Sequence, residues 1–290
     1  MPVQPTRTSS RPRRTAVRRR LLAVAALLAA FVAAAPAQAA GPHRDSAGAA
    51  GHDAKPTVVL VHGAWADGGS WGKVVTRLQR LGYPVRVPPN PLRSLPGDSA
   101  TIAGFLATIP GPVVLVGHSY GGAVITNAAT GNPAVKALVY VNAFAPDEGE
   151  TVLPLAGPDS ALAVDPTTVF DFVPYPGAPA GDVDLYLKRD VFLTSFANGV
   201  PAREAAALYA TQRPITASAG NQPSGVPAWK TIPSWYVLGT QDLIIPPSAQ
   251  QFMATRAGST IVKVKAGHLA PVSDPKDVTN VIVQAARTTS

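Results

Sequence analysis

VVLVGHSYGGAVITNAA, residues Val113 to Ala129, decides the fold. Pro112 leads into the aliphatic run Val113 to Val116, which reads as a strand buried on both faces, as inside a parallel sheet. Gly117-His118-Ser119-Tyr120-Gly121 fits the pattern G-x-S-x-G, and the small and aliphatic residues from Gly122 to Ala129 read as the start of a helix. A strand that turns this sharply into a helix strains its central residue and requires small neighbours, which Gly117, Gly121 and Gly122 supply. Such a turn lifts the Ser119 hydroxyl clear of the sheet and leaves the Tyr120 N–H at the first turn of the helix, open to an anion. A serine in that position is a nucleophile in need of a base.

Upstream, Thr57 to Val61 is a second buried strand and runs into His62-Gly63-Ala64-Trp65. Trp71, Val74, Val75, Leu78 and Leu81 recur at spacings of three and four and predict a helix from Ser70 to Leu81. Val85 to Val87 is a short strand, Pro88 to Pro96 a loop, and Asp98 or Ser99 the cap of a helix from Ala100 to Thr108. Downstream, Ala137 to Val141 is the fourth strand. The alternation then stops at Pro146. Residues 146–228 are rich in Pro, Gly and Ala, carry short helical patterns at Val183–Phe196 and Pro201–Thr211, and contain no strand of the buried type. Their aromatic residues, among them Phe170, Phe192 and Tyr209, argue for a packed cap over a loose loop. Ser234–Gly239, a helix from Ser248 to Ala257, Thr260–Val264 and a closing helix from Pro275 to Ala286 complete the pattern. The expectation is an α/β chain: a mostly parallel, doubly wound sheet of about six strands with a helical cap after the fourth. Residues 56–145 and 229–290 form the core and 146–228 the cap.

The net charge of +8 suggests a basic protein, yet seven of the 25 basic residues lie in residues 1–39, which hold no acidic one. That leaves 18 basic against 17 acidic side chains, so no basic surface for nucleic acid is implied. Residues 1–39 read as an export signal: an arginine-rich start, an apolar run from Leu21 to Ala35, and Ala37-Gln38-Ala39 as a small-x-small cleavage site. The run is short and alanine-rich for a bilayer span, so a secreted chain starting near Ala40, without a stable membrane anchor, is expected by a Sec or twin-arginine route. Residues 40–55 read as a disordered tether. The chain has no cysteine, so its stability outside the cell would come from the core alone.

Serine is a weak nucleophile at neutral pH and needs a base, nearly always histidine. His43 and His52 lie in the tether, His118 points away from its neighbour Ser119, and His62 shapes the loop after the first strand. His268 remains, in the loop beyond the last strand, at the same carboxyl-terminal edge of the sheet as Ser119. Asp242, three residues past the Ser234–Gly239 strand, is the preferred acceptor for its other nitrogen, with Asp147 and Glu148 as alternatives. Tyr120 and Ala64 are placed to donate two N–H groups to a tetrahedral oxyanion, and Gly63 keeps that backbone approachable. No metal or cofactor is implied.

The motifs VLVHGAW, VGHSYGG, GTQDLIIP and AGHLAP together resemble the α/β-hydrolases, and more narrowly the branch of plant methyl-ester esterases and hydroxynitrile lyases. The resemblance implies a triad of Ser119, Asp242 and His268, oxyanion donors at Ala64 and Tyr120, and a cap that forms the pocket, to which Gly63, Leu269 and Trp229 are assigned. It implies a serine carboxylesterase acting on a small-molecule, largely apolar ester, with lyase or perhydrolase chemistry, or ligand binding without turnover, as alternatives. In the lyases of that branch a threonine follows the first-strand histidine and a lysine follows the catalytic one. Gly63 and Leu269 stand there, which favours ester hydrolysis, and the exchange Gly63→Thr with Leu269→Lys is expected to introduce some lyase activity.

Overall fold

A computed structural model describes residues 55–288. The expected signal and most of the tether, with His43 and His52, lie outside these residues. The chain runs β1 (Thr57–Val61), α1 (Gly72–Arg80), β2 (Val85–Arg86), α2 (Leu95–Leu106), β3 (Val113–Ser119), α3 (Tyr120–Ala128) and β4 (Val135–Ala143). An excursion follows that holds β5 (Phe170–Val173), β6 (Asp184–Leu187), α4 (Ala202–Ala210) and β7 (Ile215–Thr216), and the chain continues with β8 (Ser234–Gly239), α5 (Pro247–Arg256), β9 (Thr260–Val264) and α6 (Pro275–Arg287). The main sheet has six strands in the order β2-β1-β3-β4-β8-β9, every pairing parallel.

The period of two along the strands sorts their side chains between two apolar layers. Val58, Leu60, Val114, Val116, Val139 and Val237 pack with Trp71, Val74 and Leu78 of the α1 side and Val278, Val281 and Ile282 of α6. Val59, Val61, Leu115, Leu138, Tyr140 and Leu238 meet Ile102 and Leu106 of α2, Val124 of α3 and Met253 of α5. Burial on both faces accounts for the unbroken aliphatic runs from which the strands are legible. Among the described residues no helix is long and apolar enough to cross a membrane.

Two expectations are corrected. The excursion is not all-helical: β5, β6 and β7 form a three-stranded antiparallel sheet, with Leu185 and Leu187 of β6 buried. The Val183–Phe196 window holds a strand, a single turn at Arg189–Val191 and a π-turn at Phe192–Phe196, so its apparent helical spacing averages three different periods. Helix α2 also starts earlier, at Leu95. Ser94 is its cap, accepting from Gly97 N at 3.1 Å, because Pro96 sits in the first turn, where its missing N–H costs nothing. Asp98 therefore lies inside the helix and turns inward, 1% exposed, where it accepts the Tyr120 hydroxyl at 2.8 Å.

Candidate active site

Ser119 ends β3 and caps α3 with φ 53° and ψ −125°, a left-handed conformation that costs about 1–3 kcal/mol in a residue with a side chain. The glycines around it permit the close approach. A Cβ on Gly121 would lie 2.8 Å from the His62 carbonyl oxygen, and one on Gly117 2.8 Å from the Gly122 Cα. A Cβ on Gly63 would meet the Ser119 Cβ at 2.7 Å and the His118 carbonyl oxygen at 2.8 Å. Tyr120 opens α3, so its N–H has no acceptor within the helix, and Ala64 sits in the turn after β1.

His268 is fully buried in the loop after β9. Its Nδ1 meets Asp242 Oδ2 at 2.9 Å, while Nε2 is buried with no hydrogen-bond partner among the described residues. That division fixes the neutral tautomer, with the proton on Nδ1 and a bare basic lone pair on Nε2. Asp242 is held by five donors among the described residues. Oδ1 accepts from the Ile244 and Ile245 N–H groups at 2.8 and 2.9 Å, and Oδ2 accepts from Asn142 Nδ2 at 2.9 Å and Gln250 Nε2 at 3.0 Å besides His268. Of the alternative acids, Asp147 pairs with Lys230 at 2.6 Å at the surface, and that hydrogen bond draws its carboxyl below the usual range. Glu148 is exposed and hydrogen-bonds Asp147 through its backbone. Neither reaches His268.

The other described histidines are braces. His62 Nδ1 donates to Gly63 O at 2.9 Å and Nε2 accepts from Asn90 N at 3.1 Å, so the ring is neutral, and burial lowers its pKa. His118 Nε2 donates to the His268 carbonyl at 2.9 Å, and burial, reinforced by His268, pushes it well below the ordinary histidine value. From the excursion, Asn198 Oδ1 accepts from His268 N at 3.4 Å and its amide donates to Gln241 O at 2.7 Å.

Ala64, Ser119 and Tyr120 share a cavity walled by Trp65, Phe144, Leu153, Leu162, Phe170 and Ile244. Its free volume is about 30 Å³, so the cavity is narrow. None of the lining residues is charged. The Thr216 hydroxyl in the wall is already spent on Arg93 O at 2.8 Å. None of the three residues assigned to the pocket lines this cavity: Gly63 lies under Ser119, where a Cβ would meet the Ser119 Cβ. Leu269 is 1% exposed in the apolar core, and Trp229 donates its indole N–H to Pro146 O at 3.0 Å beside Lys230 and Arg256. The exchange Gly63→Thr with Leu269→Lys is therefore no route to lyase activity here: the threonine Cβ would strike Ser119, and the lysine would be an unpaired charge in the core.

Sequence reasoning missed Asn142, Gln250 and Asp98. Asn142 and Gln250 are polar residues that are 0% exposed among apolar neighbours, a mismatch visible in the sequence for Asn142 at the end of a buried strand. Replacing Asp98 by Ala is expected to leave the buried Tyr120 hydroxyl without an acceptor and to cost about 1–3 kcal/mol. A denaturant titration measures it, and an unchanged midpoint refutes it.

Residues 58–281 match the model of the alpha/beta hydrolase family, and the chain belongs to that family. Among its relatives is a carbendazim hydrolyzing esterase of a Nocardioides species, 34% identical over 110 residues that span 33% of this chain and 46% of that one. A pyrethroid hydrolase of Sphingobium wenxiniae is 27% identical over 248 residues, 79% of this chain and 87% of that one. The crystal structure of polyneuridine aldehyde esterase superposes with a TM-score of 0.68 over 79% of this chain and 98% of that one, at 19% identity.

Proposed function

We propose that the chain is a secreted serine carboxylesterase that hydrolyses small to medium, uncharged, largely apolar esters through Ser119, His268 and Asp242. His268 carries the reading: a buried imidazole whose Nδ1 is committed to Asp242 and whose Nε2 is bare, at the same carboxyl-terminal edge of the sheet as a strained serine. Ester hydrolysis itself agrees with the relatives named as esterases and hydrolases.

Ser119 Oγ attacks the ester carbonyl carbon as His268 Nε2 takes its proton. The carbonyl oxygen becomes an oxyanion held by the N–H groups of Ala64 and Tyr120, and Asp242 stabilises the imidazolium. Collapse expels the alcohol, which leaves with the proton from His268. Water then attacks the acyl-enzyme by the same route and releases the acid. A cavity without a cation disfavours carboxylate-bearing substrates, because such a charge would be buried unpaired.

A panel of p-nitrophenyl esters from acetate to decanoate, with mandelonitrile as a lyase control, tests this. The shorter esters are expected to be preferred, and Leu153→Ala, which widens the wall, to move the preference toward longer chains. Cyanide release faster than p-nitrophenyl acetate hydrolysis would overturn the esterase reading. No turnover of any ester would leave a ligand-binding protein. Export is tested by the amino terminus of protein recovered from the medium, expected near Ala40.

A further inference from the structure

Asn142 occupies a position that a plain strand would not create. His118 of β3 pairs with Val141 of β4, but the next residue, Ser119, pairs with Ala143, so Asn142 is the extra residue of a bulge. It holds φ 45°, a left-handed conformation that asparagine tolerates better than most residues, and it is 0% exposed. Bulges in parallel pairs are rare, and one beside a reactive group re-aims a side chain. Here Nδ2 donates to Asp242 Oδ2 at 2.9 Å and to the carbonyl of Gly267, the residue before His268, at 3.1 Å. The facing strand makes room: a Cβ on Gly239 would run into the Asn142 amide. The cost is visible too, since Asn142 Oδ1 is buried without a hydrogen-bond partner among the described residues.

We propose that Asn142 is a positioning residue that sets both the place of His268 and the share of the Asp242 charge that acts on it, by holding Asp242 and the Gly267 peptide together. This rests on the triad reading above. The amide is neutral, so its hydrogen bond draws on the Asp242 charge without adding any. Less of that charge then acts on the imidazolium that forms at His268 during turnover. Among the described residues, the groups that contact His268 leave Asp242 as the one anion against it. From β3 it is faced by His118, kept neutral by burial, and from the excursion by Phe196, an uncharged ring. Tyr236, next to Asp242 on β8, is held far above its ordinary value by burial and stays neutral.

The test compares pH profiles of kcat/KM for p-nitrophenyl acetate in the full chain. Active sites are counted by a phosphonate inhibitor, so that misfolded protein does not enter the rate. Asn142→Gly keeps the backbone conformation and removes the amide. Gly239→Ala keeps Asn142 and crowds its amide off Asp242, while the new Cβ also comes within 2.9 Å of the Ala266 carbonyl oxygen, so Asn142→Gly is the variant without that second contact. Both variants are expected to move the acid limb upward by about half a pH unit or more and to lower kcat about tenfold, with KM changed less than threefold. A role confined to stability would lower the number of competent sites and leave the limb where it is. An unmoved limb in both variants refutes the positioning role even if activity falls. Wild-type protein that neither turns over esters nor takes up phosphonate at Ser119 refutes the triad reading instead.

Discussion

Ser119→Ala and His268→Ala are each expected to lower kcat by about 10⁶-fold, and the double variant to be scarcely worse, because nucleophile and base act as one unit. The residual rate would come from the Ala64 and Tyr120 N–H groups, which survive both changes. Asp242→Asn is expected to behave worse than a simple change of tautomer. Both carboxylate oxygens face donors only, Oδ1 two backbone N–H groups and Oδ2 the side chains of Asn142, Gln250 and His268. Either orientation of an asparagine amide turns its NH₂ against other donors, so this variant loses folding stability as well as turnover. Phosphonate labelling followed by peptide mass spectrometry separates the outcomes: wild type is modified at Ser119, and Ser119→Ala is not modified at all. Near-normal esterase activity in His268→Ala would overturn the assignment of the base.

Gly122→Ala and Gly121→Ala are expected to be among the most damaging single substitutions away from the reacting groups. A Cβ at Gly122 would overlap the Phe144 carbonyl oxygen and lie 2.7 Å from the Ala143 Cβ. At Gly121 it would overlap the Val61 carbonyl oxygen and lie 2.8 Å from that of His62. Most of these obstacles are backbone, so no change of rotamer relieves them, and α3 must move away from β1 or β4. Overpacking of this kind costs about 3 kcal/mol or more. In a domain of this size that lowers Tm by about 6–12 °C. Gly104→Ala, on the exposed side of α2 with no atom within 4 Å of the new Cβ, is the control and is expected to stabilise by about 0.5–1 kcal/mol. Equal melting temperatures for Gly122→Ala and Gly104→Ala would show that the turn tolerates a looser approach than its geometry implies.

The parts of the site legible in the sequence are those whose chemistry is written in neighbouring residues. Strand, G-x-S-x-G and helix are contiguous, so Ser119 and the Tyr120 N–H could be read from one stretch. His268 and Asp242 follow from the edge of the sheet at which each loop emerges. The misreadings share a cause. Pro96 reads as loop although it lies in the first turn of α2, and Val183–Phe196 reads as helical although β6 gains its pairing from Phe170–Val173 and Ile215–Thr216, distant in the chain. A short strand of four residues carries too few positions for its period to stand out, and its partner is what makes it a strand.

The sequence by itself determined the layered core, because burial on both faces of a parallel sheet demands continuous aliphatic runs and the short glycine-flanked turn demands its three glycines. Only the tertiary structure decided which apolar residues wall the cavity and which fill the core, since Leu269 and Leu162 are equally apolar and differ only in what packs over them. The same holds for the support of Asp242. Asn142 and Gln250 lie 100 and 8 residues from it along the chain, and a hydrogen bond at 2.9 Å depends on a bulge and a missing Cβ on two neighbouring strands. Side-chain identity states what a group can donate or accept. Where it does so is a property of distances that only the folded chain contains.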